Sequence, residues 1–592
     1  MIPEENENQE KTLVQNENEI SINYVHSSKT WNRNKTCIDE IFAYAIAIDV
    51  LNENDYIPKT LEEWMHRNDW PKWQEDVNAE LNSLEKRHVF GPVVQTPIDI
   101  KPVGYKWVFA IKRNEKNEIV RYKAQLVAQG FSQIPGVDYE ETYSPVVDAI
   151  TLRFLIGLTI SEGLHMRLMN VVTAYLYGTL ENDTYMKIPK GLKLPEALKS
   201  TPRDMCAIKL QRSLYGLKQS GRMWYNRLNE YLEKEGYKSD VISPCVLIKR
   251  SLTQFTIIAV YVDDINIIGS LEEIEKAAEM LKKEFEMKDL GSTKLCLGLQ
   301  FEHLCNGTFV HQSNYIEKML KRFNMDKAHP FNIPMIVRLL DENKDSYRPQ
   351  EEGEEILGPE VPYLSAIGAL MYLANNTRPD IAFSVHVLAR YSSNPTRRHW
   401  NGIKHIFRYI CGTRDLGLFY EKSKKSQLIG YADAGYLSDP HKAISQTGYV
   451  FTYGGTAISW KSTKQTLTAT SSNHAELIAL YDTSRECVWL RSMINHIQEA
   501  CGLEQIKKEP TIIYEDNAAC IAQIRECYIK GDRTKHISSK FLSTYDLQKE
   551  GEIDVRQIIS SENLADLFTK SLPRSSFEQL SQRIGLRRLK DD

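Results

Sequence analysis

The chain is poor in cysteine: ten in 592 residues, from Cys37 to Cys527, with no CxxC pair and no Cys/His cluster at zinc spacing. That excludes a disulfide framework and fits a thiol-bearing intracellular protein. No window holds 18 uninterrupted apolar residues; the nearest, "IFAYAIAIDVL" (41–51), is too short to span a bilayer. No basic start followed by an apolar run marks a secretory signal. Charge of one sign is also missing. Lys plus Arg is 74 against 78 Asp plus Glu, a formal net charge of −4, so any nucleic-acid surface must be local. No internal repeat is found, which argues against a solenoid. What remains is a globular mixture, 42% hydrophobic and 26% charged, which excludes disorder throughout, a collagen-like fibre and a coiled coil. The length suits about four domains.

Residues 1–20 carry six Glu against one Lys and read as an acidic disordered tail. A Trp-rich stretch, 61–87, has the spacing of an amphipathic helix starting after Pro71. Residues 101–131 then swing to a net charge of +5, with alternating apolar residues on either side of "RNEKNE". This is a basic β-hairpin, either a solvated charged surface or one that faces phosphate. An acidic linker at 349–360 and a pair of helices within 363–393, parted at Thr377–Pro379, follow. From 427 the pattern is strand, hairpin, long helix and strand, an α/β domain with a mixed sheet.

Two places carry chemistry. In "IIAVYVDDINIIG" (257–269) two strand-like runs flank Asp263 and Asp264. Adjacent carboxylates there are either an exposed turn or a metal site, because burying them unpaired would cost several kcal/mol each. The helix after them (271–287) puts Ile274, Ala278, Leu281 and Phe285 on one core-facing side. In the last domain Asp433, Glu476, Asp516 and Asp566 stand at element ends. Each alone is an unremarkable acid. Converged, four carboxylates hold two hard divalent ions, Mg²⁺ or Mn²⁺ rather than zinc.

The strings "GYKWVF", "RYKAQLVAQGFSQ", "LYGLKQSGRMW" (214–224), "YVDD" (261–264), "MKDLG" (287–291), "HWNGIKHIFRYICGT" (399–413), "ISWKSTKQ", "RTKHI" (533–537) and "LADLFTK" run in one order from about 59 to 572. In that order they resemble the C-terminal reverse transcriptase and RNase H part of a copia-type retrotransposon Pol polyprotein. The resemblance implies an α+β and α/β fold: a right-hand polymerase with fingers, palm and thumb-like parts, followed by an RNase H-like mixed-sheet domain. The expected boundaries are an acidic, largely disordered tail (1–58), fingers and palm (59–305), a thumb or connection (306–425), the RNase H-like domain (426–572) and a basic C-terminal tail (573–592).

By the same resemblance, Asp263 and Asp264 are palm metal ligands, and Asp433, Glu476, Asp516 and Asp566 are the nuclease quartet. Lys123, Gly216, Lys218 and Gln219 contact substrate or template. Mg²⁺ or Mn²⁺ is the expected cofactor. The expected partners are RNA template, DNA primer, RNA–DNA hybrid and deoxynucleoside triphosphates, in the cytoplasm or nucleus and with no membrane. The chain departs from the pattern at several places. The segment that in relatives reads M-D-V-x-T-A is "MNVVTA" here, so the third palm carboxylate is Asn170. Gln125 stands where relatives commonly have Arg, and Ser538 and Leu542 stand where many carry Asp and His. The resemblance therefore implies an impaired polymerase beside an intact nuclease quartet. The alternative is a non-catalytic nucleic-acid-binding relic. No protease, integrase or zinc-knuckle motif precedes residue 59, which reads as a processed product or a truncated copy.

Overall fold

The computed structural model describes residues 21–26, 29–34, 46, 63, 70–113, 119–190, 192, 194–252, 254–422, 427–503, 509–527 and 538–589. The tail 1–20, the turn 114–118 and the "RTKHI" string lie outside the described residues. Within the region expected to be disordered, Ser21–His26 and Lys29–Asn34 pair as an antiparallel hairpin. Ile, Tyr, Val, Thr and Trp in those twelve residues favour strands, a preference that charge alone does not reveal.

The contacts divide the chain into two compact units, one of residues 54–148 and 165–292, the other of 1–53, 149–164 and 293–592. The second of these units takes in everything described from 293 onward. Helix Ala149–Ser161 belongs to the second unit although both its neighbours belong to the first. Its composition explains this: nine of its thirteen residues are buried, so it needs cover on every side. Buried Arg153 fixes it there by donating to the carbonyls of Ile458, Asn375 and Asn376.

In the first unit the Trp-rich helix spans Trp70–Lys86 and buries Trp73, Val77, Glu80 and Leu84, one side of the helix. Glu80 accepts from the Leu126 amide, tying the helix to the basic hairpin Tyr105–Arg113 and Ile119–Ala128. The second element is a six-stranded antiparallel sheet. Its order is Met287–Ser292, His165–Val171, Asp264–Gly269, Phe255–Tyr261, Val246–Arg250, Lys238–Ser239. Helices Ser220–Lys234 and Leu271–Glu284 cover it, with Trp224, Leu228, Ile274, Ala278, Leu281 and Phe285 in the core. The expected two strands on either side of Asp263 and Asp264, and the amphipathic helix after them, are both present.

In the second unit a five-stranded mixed sheet has the order Thr456–Lys464, Ile444–Tyr453, Leu428–Asp439, Thr511–Glu515, Ile553–Gln557. The first three strands are antiparallel and the last two run parallel to the central one. The long helix Ser472–Cys501 packs on it, capped where the Ser471 hydroxyl accepts from the His474 amide. The C-terminal segment is folded rather than a tail. Arg574–Arg583 is a helix, and Leu586–Arg588 pairs antiparallel with Leu416–Glu421. Buried Phe577, Leu580, Ile584 and Leu586 drive this, which a count of basic residues overlooks. No described helix is long and apolar enough to cross a membrane.

Candidate active sites

The palm-like site is built on a strained turn. Val262 has φ 54°, a left-handed conformation that β-branched residues avoid. Two bonds hold it. The Trp224 indole donates to the Val262 carbonyl at 2.7 Å, and the Val171 amide donates to the Asp263 carbonyl at 2.8 Å. Strand pairing sets Asp264 directly opposite Asn170. The Asn170 amide nitrogen then donates to Asp263 Oδ2 at 3.1 Å and to Asp264 Oδ1 at 2.9 Å. Burial pushes the Asp264 carboxyl up, and the Asn170 bond pulls it back part of the way.

This donor set does not fit a pair of divalent ions. It supplies two carboxylates, and the amide hydrogens point at the oxygens that ions would need. An amide oxygen turned the other way brings no net charge.

The remaining first-unit residues are not brought onto those carboxylates by any described contact. Lys123 is half-buried on the hairpin opposite Ala110, and Gln125 lies opposite Val108. Lys218 is exposed. Gly216 has φ 88°, and a Cβ there would lie 2.1 Å from the Ala128 carbonyl oxygen, so the close approach of the hairpin requires glycine. Gln219 is committed to its neighbours: it accepts from Gln133 at 3.1 Å and donates to the Asp138 carbonyl at 3.2 Å. These two residues shape a loop.

The second site gathers all four acids of the mixed-sheet domain. Asp433, on the central strand, is 1% exposed. Ligand oxygens of Asp433, Asp516 and Asp566 lie within 4.8 Å of one another, as do those of Glu476, Glu515 and Asp516. Asp516 joins the two groups. Glu515 is a fifth acid that the motifs do not single out, yet strand alternation marks it: Thr511, Ile513 and Glu515 share the buried face. Asp566 is placed by a short 3₁₀ turn, Leu564–Phe568. Asn563 ties that turn to the central strand, donating to the Ala432 carbonyl at 2.8 Å. Gly448 makes room for it; a Cβ there would lie 2.5 Å from Thr569 Cγ2 and 2.9 Å from Phe568 Cβ. Ser538 contributes no described side chain, and Leu542 is exposed.

Electrostatics follow from packing so many acids in a buried place. Burial first, then the neighbouring carboxylates, raises Glu476 and Glu515 well above the usual range. Burial raises Asp433 as well. Asp566 is pushed up to about 7 by burial and by the charge of Asp433. Glu476 Oε2 and Glu515 Oε2 are buried with no hydrogen-bond partner among the described residues. An orphaned buried carboxylate oxygen costs about 1–3 kcal/mol or more. The donor set therefore fits hard divalent cations, with Asp433, Asp516 and Asp566 at one position and Glu476, Glu515 and Asp516 at the other. A second residue unforeseen from sequence is Lys570, whose ammonium lies 3.1 Å from Asp433 Oδ1 and 2.6 Å from Asp566 Oδ1. It stands at i+4 from Asp566, the spacing at which side chains meet on a helical turn.

Residues 88–337 match the family described as "Reverse transcriptase (RNA-dependent DNA polymerase)". Along 91% of its length the chain is 35% identical to the Retrovirus-related Pol polyprotein from transposon TNT 1-94 of Nicotiana tabacum. Over 92% it is 31% identical to that from transposon RE1 of Arabidopsis thaliana. Over most of its own length the chain is similar to the Pol polyproteins of these transposons. It spans 39% and 36% of the length of those two relatives. Among solved structures, a foamy viral protease-reverse transcriptase in complex with double-stranded DNA is 11% identical to this chain. It covers 84% of this chain and 70% of its own, at TM-score 0.41. The N-terminal RNase H domain of a Mycobacterium tuberculosis protein is 12% identical over 27% of this chain and 98% of its own, at TM-score 0.18.

Proposed function

We propose that this chain is the polymerase and nuclease part of a copia-type element, and that its nuclease site is the competent one. The observation that carries this reading is the pair of overlapping carboxylate groups around Asp433 and Asp516, with two buried oxygens that have no partner among the described residues. Bound there, two divalent ions would supply an activated water and stabilise the leaving oxygen of a phosphodiester. The chain's own residues hold the geometry. The central strand fixes Asp433, the Ser471-capped helix presents Glu476, and the Asn563-tied turn presents Asp566. The substrate is the RNA strand of an RNA–DNA hybrid.

The palm is read differently. RNA template, DNA primer and deoxynucleoside triphosphates are its inherited partners, and the basic hairpin with Lys123 is the phosphate-facing surface. Asn170 favours a palm that binds hybrid without extending it, because its amide closes on both carboxylates. An intracellular compartment, cytoplasmic or nuclear, follows from those partners.

The test is cleavage of a labelled RNA–DNA hybrid by the full chain with Mg²⁺ or Mn²⁺, beside an Asp433→Asn variant. Metal-dependent cleavage abolished in the variant supports the nuclease. Loss of one preorganised charge at a reacting centre typically lowers rates by about 10²–10³. No cleavage by the unmodified chain, with hybrid still bound, would leave the binding relic as the better reading.

A further inference from the structure

We infer that Lys570 is a resident counter-ion of the nuclease site, and that a divalent ion must displace it to reach Asp433 and Asp566. The inference rests on the nuclease reading above and goes beyond it. The ammonium holds one oxygen of each acid, Asp433 Oδ1 and Asp566 Oδ1. The other oxygen of Asp433 is taken by the Thr569 hydroxyl. The two acids and Asp516 form the group whose ligand atoms lie within 4.8 Å, so the ammonium sits where an ion shared by Asp433 and Asp566 would have to be. Mg²⁺ binds oxygen at about 2.0–2.1 Å, closer than an ammonium does, so one place cannot serve both.

The arrangement lets the amine leave. Its backbone amide is fixed, donating to the Asp566 carbonyl at 3.1 Å, but its side chain is 39% exposed and four carbons long. The ammonium's described ion pairs are with Asp433 and Asp566, not with Glu476, Glu515 or Asp516. The two ion positions are therefore unequal. The Glu476 position fills first, and the Asp433–Asp566 position fills only as Lys570 swings out. The lysine keeps the site neutralised until an ion arrives.

The experiment counts bound Mn²⁺ by the electron paramagnetic resonance signal of the free ion. It uses the full chain carrying Asp263→Asn and Asp264→Asn, so that the palm acids add nothing. With Lys570 present, two classes of site are expected. Lys570→Met should tighten the weaker class at least tenfold, and leave the stronger class within about threefold, because the ion no longer competes with two charge-assisted bonds. Lys570→Arg keeps the charge and should keep the weaker class weak. Lys570→Gln serves in place of Met if the apolar side chain prevents folding.

Melting temperatures give an independent readout. Lys570→Met should melt lower than its parent in chelator and recover in Mn²⁺. A lysine with only a structural role would lower the melting point equally in both. Equal binding by parent and all variants, with two occupied classes, overturns the inference while leaving the nuclease reading intact. No Mn²⁺ bound by any form overturns the nuclease reading itself.

Discussion

Replacing Asn170 by Asp should make the first unit less stable without metal and more responsive to it. The side chains are nearly isosteric, so the backbone is undisturbed. The perturbation removes two hydrogen bonds to carboxylates, at 3.1 and 2.9 Å, each worth about 1.5–3 kcal/mol for a charged partner. It also sets a third carboxylate against the other two. At a separation near 4 Å and an effective dielectric of about 20, each like-charge pair costs up to about 4 kcal/mol, less where water reaches it. Asp263 is exposed and Asp264 half-buried, so water discounts both terms well below their full sum, and a net loss of about 2–4 kcal/mol at pH 8 is expected. For a unit of this size that lowers the melting temperature by roughly 4–16 °C in chelator. Mg²⁺ should then recover most of the loss in the variant and do little for the parent. Primer extension on an RNA template should rise by at least about 10². An unchanged melting point in chelator would refute the amide bridge. Robust extension by the Asn170 protein would refute the claim that this palm is disabled. Recovery by Mg²⁺ without extension would place the remaining lesion elsewhere, with Gln125 the first residue to restore.

Gly448→Ala should displace the Asp566 turn, because the added methyl meets Thr569 and Phe568. A loss of about 1–3 kcal/mol and a fall in hybrid cleavage are expected, read by thermal melting and by cleavage rate. Protonation of Asp566 should stabilise the chelated protein. Its folded value, about 7, lies above the ordinary 3.8, so its contribution is full below about pH 4 and is lost as pH rises through 7. Asp566→Asn should abolish that part of the melting-temperature slope between pH 4 and 7, and an unchanged slope would refute the assignment. Lys123→Ala with Arg121→Ala should weaken hybrid binding and reduce its dependence on log salt by roughly 0.9 for each phosphate no longer neutralised. Unchanged affinity and slope would mark the hairpin as a solvated face.

Periodicity carried the local elements well. The hairpin with Asp263 and Asp264 at its turn, the helix burying Ile274, Ala278 and Leu281, and the split helix pair Tyr363–Asn376 and Ala382–Ala389 lie where alternation and helical spacing put them. Partner choice was less visible. Helix Ala149–Ser161 is apolar all round, which says that it is covered but not by what. The carboxylate cluster was half legible, because acids at element ends suggest convergence. Glu515 was hidden by its neighbour Asp516, although strand alternation marks it as the inward one. Lys570 was hidden because an i+4 acid–base pair usually reads as a surface ion pair; only burial of Asp433 at 1% exposure changes its meaning. Asn170 was visible as a missing charge. That its amide would bridge both acids depends on strand register, which composition and spacing do not determine.

The two acid sites meet one physical problem, adjacent carboxylates whose charges repel, with two different partner groups. At the palm the group is an amide on the strand beside the acids. It carries no charge, so it satisfies the oxygens by hydrogen bonds alone, and it is attached by one methylene, so it has nowhere to go. At the acid cluster of the mixed-sheet domain the group is an ammonium on a four-carbon stem that reaches solvent. It carries the charge a metal would bring, and it can withdraw when a stronger cation arrives. A neutral, short, fixed partner closes a site; a charged, long, mobile one holds it ready. On that difference the same chain should show metal-responsive stability in the mixed-sheet domain and little in the six-stranded sheet. Separate melting of the two units, followed by tryptophan fluorescence and hydrogen exchange with and without Mg²⁺, reads that contrast directly. Equal metal protection around Asp264 and Asp433 would remove the distinction.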